Sequence, residues 1–188
     1  VILTDTNYTS DTPMYAPFKN AAVLPNDVWI LPRNGPPRVL IADLPNCPNG
    51  VAVSPDEKTL YIGDGPLNAD DPFAVAAINL IYAYDLVNIS GGIFAQSKRV
   101  FVSSDFGYID GFEVDSQGNV FAATNDGVAV FDPSGTILGK IVLIAAFPIA
   151  DHPTNSIGFA GNRLIMMHNL DVFMLYTNTS GISRSYGG

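Results

Sequence analysis

Short apolar runs alternate with turn residues along the whole chain, and no stretch sustains the spacing of an amphipathic helix. The runs fall at 28–31, 38–42, 50–53, 59–63, 80–85, 112–114, 120–123, 128–131, 137–143, 157–159, 163–167 and 172–176. They are separated by Pro-Asp, Gly-Asn and Ser-Gly signals. Many short strands at this spacing predict an all-β sandwich, barrel or propeller.

An internal repeat chooses among these. Asn49-Gly50-Val51-Ala52-Val53-Ser54-Pro55-Asp56-Glu57-Lys58-Thr59-Leu60-Tyr61-Ile62 matches the stretch from Asp110-Gly111-Phe112 to Phe121-Ala122-Ala123, and a weaker copy runs from Asn155-Ser156-Ile157 to Leu164-Ile165. Each copy is a polar residue, a short strand, a tight turn and a second strand. The first two openings lie 61 residues apart and the next two 45, which suits blades of about four strands, the longer gap leaving room for an insertion at 65–77. The expected architecture is a β-propeller. In such a fold the first strand of each blade lines the axis, so Asn49, Asp110 and Asn155 are expected to project into one space from three neighbouring blades.

Aligning 1–5 on 60–64 starts the chain inside a blade's second strand. Residues 1–188 thus read as a partial propeller of about three to three and a half blades, whose missing blades come from an N-terminal segment of the same protein, joined upstream or cleaved and still bound. An open ring exposes sheet edges that such a segment must cover.

Composition narrows the partners. The chain carries 18 acidic and 9 basic residues, a formal charge of −9, without any Lys/Arg cluster. Nucleic acid and acidic membranes are therefore poor partners. The acidity suits a bound cation or simply a solvated acidic surface. No signal peptide opens the sequence and the longest greasy stretch, 141–150, is too short to span a bilayer, so the chain reads as mature and soluble. The lone Cys47 excludes a disulfide within the chain and reads as a buried thiol or as a link to a cysteine elsewhere. Three sequons, opening at Asn7, Asn88 and Asn178, sit in predicted turns or strand ends and together favour a secreted glycoprotein.

Asn49, Asp110 and Asn155 supply one carboxylate and two amide oxygens, a hard set suited to Ca²⁺ or Mg²⁺ and not to a soft metal. An Asn-Gly or Asp-Gly pair is also a turn signal, and at this level both readings stay open. His152 and His168 are the acid/base candidates. No Ser or Cys nucleophile pattern and no His-x-x-x-His spacing supports them, so each reads first as an ordinary structural or surface histidine. His168 ends a strand where it can approach the channel. Asp64, Asp70 and Asp71 are expected in a solvent-exposed insertion that overhangs the cavity, and Gly91-Gly92 reads as a turn. No Gly-x-Gly-x-x-Gly or P-loop is present.

Pro48-Asn49-Gly50 followed by Ser54-Pro55-Asp56-Glu57-Lys58-Thr59-Leu60-Tyr61, and Asp110-Gly111 followed by Asp115, Gly118-Asn119, Gly127-Val128, Phe131-Asp132-Pro133-Ser134-Gly135 and Leu138-Gly139, resemble the gluconolactonase and senescence marker protein (regucalcin) family of six-bladed propellers. The resemblance runs over 48–168, and Thr4-Asp5 looks like the strand end after the family's earlier Asn-Asp signature. It implies that Asn49 and Asp110 bind a divalent cation, Ca²⁺ before Mg²⁺ or another metal, with a Glu and an upstream Asn to which no position of this sequence is assigned. It also implies hydrolysis of a small sugar or aldonate lactone, in which Asp110 orients or deprotonates the attacking water. Asn155, after Thr154, resembles the family's Thr-Asn segment beside the pocket and, with His168, is the candidate substrate contact. The alternatives on the same fold are a non-catalytic binding propeller and a metal-dependent aryl-ester or organophosphate hydrolase.

Overall fold

The computed structural model describes residues 1–5, 25–42, 44, 47–65, 79–104, 109–143, 154–168 and 171–183. Among them are fourteen strands in four antiparallel sheets, each built from strands consecutive in the chain. The first sheet holds β1 (Ile2–Asp5), β2 (Asp27–Ile30) and β3 (Arg38–Ile41). The second holds β4 (Cys47–Val53), β5 (Thr59–Gly65), β6 (Asn79–Ile89) and β7 (Gly92–Ser104). The third holds β8 (Phe112–Val114), β9 (Val120–Thr124), β10 (Gly127–Phe131) and β11 (Ile137–Val142), and the fourth β12 (Thr154–Ala160), β13 (Arg163–His168) and β14 (Asp171–Tyr176). No helix among the described residues is long and apolar enough to cross a membrane.

The inner strands read as continuous apolar runs because both of their faces are buried. In β5, Leu60 and Ile62 point into a core shared with Val28 of the first sheet and Leu44 of the segment after it, while Tyr61 points the other way, toward Phe112 and Val114. In β9, Val120 and Ala122 join that second core, and Phe121 and Ala123 enter a third with Ile157, Leu164 and Met166. Three cores thus alternate with four sheets, following the period of two along each strand. Burying side chains such as Leu60 and Ile62 fully contributes about 1.5–3 kcal/mol each. A T-shaped Phe121–Phe159 pair, 5.1 Å between ring centres, links the third and fourth sheets.

The repeated turns coincide as the internal match requires. Glu57 and Gly118 occupy equivalent positions, have φ of 59° and 88°, and donate their N–H to Ser54 and Asp115 at 3.0 Å in both cases. Gly118 is suited to that left-handed backbone, whereas Glu57 adopts it against the usual preference of a residue with a side chain.

One strand is added and one expectation is corrected. The stretch 92–104, which no apolar run marks, forms the long strand β7, paired with β6 through a turn at 90–91; the insertion expected at 65–77 lies, apart from Gly65 at the end of β5, outside the described residues. Solvent-facing residues dominate β7, which removes the alternation that marks a strand. Asp64, expected in an exposed loop, is the sixth residue of β5 and is 1% exposed. Asp70 and Asp71 lie outside the described residues.

Candidate functional site

The strands that open the repeats lie side by side, β4 against β8 and β8 against β12, and β1 lies against β4. That contact brings the three repeat openings together. The Asn49 amide donates to Asp110 Oδ1 at 2.5 Å, and the Asn155 amide donates to Asp110 Oδ2 at 3.4 Å. Residues 61 and 45 positions apart thereby meet on one carboxylate.

Local backbone irregularity aims both asparagines. Pairing of β4 with β5 slips between Pro48 and Val51, so Asn49 and Gly50 stand opposite Gly63 alone. Pairing of β12 with β13 slips between Thr154 and Ser156, making Asn155 the additional residue. Such bulges bend a strand and redirect a side chain. Asp110 sits just before β8, its N–H donating to Ala123 and the Gly111 carbonyl accepting from Ala123.

The glycines after Asn49 and Asp110 serve close approach. A Cβ on Gly50 would lie 2.4 Å from the Phe112 ring and 2.6 Å from the Asp110 carbonyl, and one on Gly111 would lie 3.1 Å from the Asn155 carbonyl. Neither glycine has the positive φ of a hairpin turn, which removes the turn reading of these pairs.

Two further contacts tie the openings to their neighbours. Thr4 Oγ1 donates to the Asn49 carbonyl at 2.7 Å, and the Gly111 N–H donates to the Asn155 carbonyl at 3.0 Å. In the sequence Thr4 reads only as a strand end, because its partner lies 45 residues away in another sheet.

Burial pushes the Asp110 carboxyl above its ordinary range, and the amides of Asn155 and Asn49 pull it part of the way back. A nearby positive charge would relieve that penalty. Among the described residues no group of three or more His, Cys, Asp or Glu side chains is arranged to hold a metal. The trio offers one carboxylate and two amides, a donor set that suits a hard cation once the amides turn their oxygens inward.

The remaining candidates separate. Asn155 is exposed beside Asp110, whereas His168 is 4% exposed, with Nδ1 3.1 Å from the Thr154 hydroxyl. Cys47 is a buried free thiol, pushed from an ordinary 9.0 to about 12 by burial and then by the charge of Asp64. Asn88, at the tip of the β6–β7 hairpin, and Asn178, after β14, are both exposed. Asn7 and His152 lie outside the described residues.

Residues 34–167 match the family model for the SMP-30/gluconolactonase/LRE-like region. The chain belongs to this family. A lactonohydrolase of Aspergillus oryzae is 33% identical over 115 residues, covering 54% of this chain and 24% of that protein. A gluconolactonase of Zymomonas mobilis is 32% identical over 142 residues, covering 71% of this chain and 36% of that protein. Among solved structures, a gluconolactonase from Xanthomonas campestris superimposes with a TM-score of 0.63 at 30% identity over 80% of this chain and 44% of that one. The chain therefore spans less than half the length of these relatives, and the family and all-β fold it shares with them are established independently of any activity.

Proposed function

We propose that this chain carries one side of the active site of a divalent-cation-dependent hydrolase that opens small sugar or aldonate lactones, set at the axis of a β-propeller that is six-bladed when complete. The observation that carries the reading is the convergence of Asn49, Asp110 and Asn155, from three successive sheets, on one carboxylate. Relatives named as a lactonohydrolase and gluconolactonases support the substrate class.

In this reading Asn49 and Asp110 hold the cation, Ca²⁺ before Mg²⁺. When bound, the cation supplies the electrophile that draws charge from the lactone carbonyl. Asp110 orients the attacking water and is the candidate to take its proton, a task its upward shift in basicity serves while the cation opposes it. Asn155, the more exposed amide, offers its N–H₂ to the sugar or lactone oxygens. The further ligands and blades come from an N-terminal segment of the same polypeptide. Exposed sequons at Asn88 and Asn178 support secretion as a glycoprotein.

The test uses the full-length protein. Elemental analysis should find a divalent metal, and a pH-stat, which counts the acid released as each ring opens, should record lactone hydrolysis that chelation abolishes and Ca²⁺ restores. A metal-free protein with no turnover across aldonolactones, restored by no cation, would overturn the reading.

A further inference from the structure

His168 is a buried imidazole, and nothing in the proposed chemistry uses it. Its place in the register gives it a task. His168 ends β13 and pairs with Thr154 at the start of β12, and the next residue of β12, Asn155, is the additional one in the bulge. The Thr154 side chain is 0% exposed, and its hydroxyl meets His168 Nδ1 at 3.1 Å. The imidazole also has an edge-on ring contact with Phe173, 6.3 Å between ring centres.

This buried bond pins the base of the bulge. The Asn155 carbonyl is tied to Gly111, but its amide reaches Asp110 at only 3.4 Å, near the limit of a hydrogen bond. A shift of a few tenths of an ångström at the base is enough to lose the amide contact while the carbonyl contact survives.

We infer that Thr154 and His168 form a positioning pair that holds Asn155 toward Asp110, and so tune the cation and substrate affinity of the site without touching either ligand. The inference rests on the site reading given above. Partners that orient a metal site from outside it change affinity by about 10–100-fold when removed.

The test is calorimetric titration of Ca²⁺ alone into metal-free full-length protein, with KM and kcat measured on a lactone substrate. Thr154→Val, close in shape but without the hydroxyl, should weaken Ca²⁺ binding by about tenfold and raise KM more than it lowers kcat. Thr154→Ser should bind as the parent does. His168→Asn, which returns a polar atom near the place of Nδ1, should fall closer to the parent than His168→Leu. Because the Val and Leu variants also lose stability, each is compared only after a melting curve shows it folded at the assay temperature, and rescue by Ser and Asn separates positioning from bulk destabilisation. Parent-like Ca²⁺ binding and KM in Thr154→Val and His168→Leu, in a protein where Asp110→Asn binds no Ca²⁺, would overturn the pair's role and leave the cation site standing. Parent-like binding in Asp110→Asn as well would mean that the cation site itself is elsewhere, and the inference would fall with it.

Discussion

Two aspartates flank β8, and they are held in opposite ways. Asp115, just after the strand's last residue, is 0% exposed and accepts from the N–H of Gln117 at 2.9 Å, the N–H of Asn119 at 2.8 Å and the Asn119 amide at 2.8 Å. Asp110, two residues before the strand's first, is half-buried, accepts from two side-chain amides among the described residues, and has its carboxyl pushed up by burial. Backbone donors are permanent, so Asp115 has its charge answered by the turn it closes. The amides facing Asp110 can rotate, so that carboxylate keeps lone pairs to offer a cation. Burial alone does not mark a functional acid; the kind of donor around it does.

The sharpest way to break this contrast is Asp110→Asn in the full-length protein. Lactone turnover should drop by about 10²–10⁴-fold, with Ca²⁺ binding lost. Metal-free stability should move the other way. A folded pKa above the unfolded one gives a contribution present in full below the unfolded value and lost as pH rises through the folded value. The variant should therefore melt higher than the parent near neutral pH in chelator, and the gap should close on acidification. Equal melting temperatures at every pH would show that burial of Asp110 carries no cost.

Asp115→Ala should produce the reverse signature. Two backbone N–H groups lose their acceptor, at a cost of about 2–3 kcal/mol read from urea midpoints. Ca²⁺ affinity per folded molecule should stay unchanged.

A smaller effect belongs to Thr4→Val, which removes the bond to the Asn49 carbonyl and should cost about 1 kcal/mol. Because Asn49 is the proposed ligand, Ca²⁺ affinity should weaken with it, and Thr4→Ser should restore both. A loss of stability with no loss of affinity would limit Thr4 to joining the sheets.

Cys47 gives the least effect under ordinary conditions. Its thiol, pushed to about 12 by burial and then by Asp64, should resist alkylation in the native protein at neutral pH and react in denaturant. Its contribution to stability is complete below 9.0 and is lost as pH rises toward about 12. Fast native labelling would show that this end of β4 opens.

Much of this was legible in the one-dimensional pattern. Apolar runs such as Leu60-Tyr61-Ile62 and Val120-Phe121-Ala122-Ala123 mark strands buried on both faces, and the recurrence of a polar residue before equivalent strands singles out Asn49, Asp110 and Asn155. These signals are local, set by the two-residue period of a strand and by the backbone demands of turns. The strand β7 was not legible, because its residues face solvent and need no alternation. Only the tertiary structure decided that Asp64 is buried, that Thr4 grips Asn49, and that His168 faces Thr154 instead of open space. It also decided that the glycines beside Asn49 and Asp110 admit a neighbouring sheet instead of making turns. Each of these depends on a one-residue slip in register or on which sheet edges meet, and such long-range pairings leave no periodic trace along the chain.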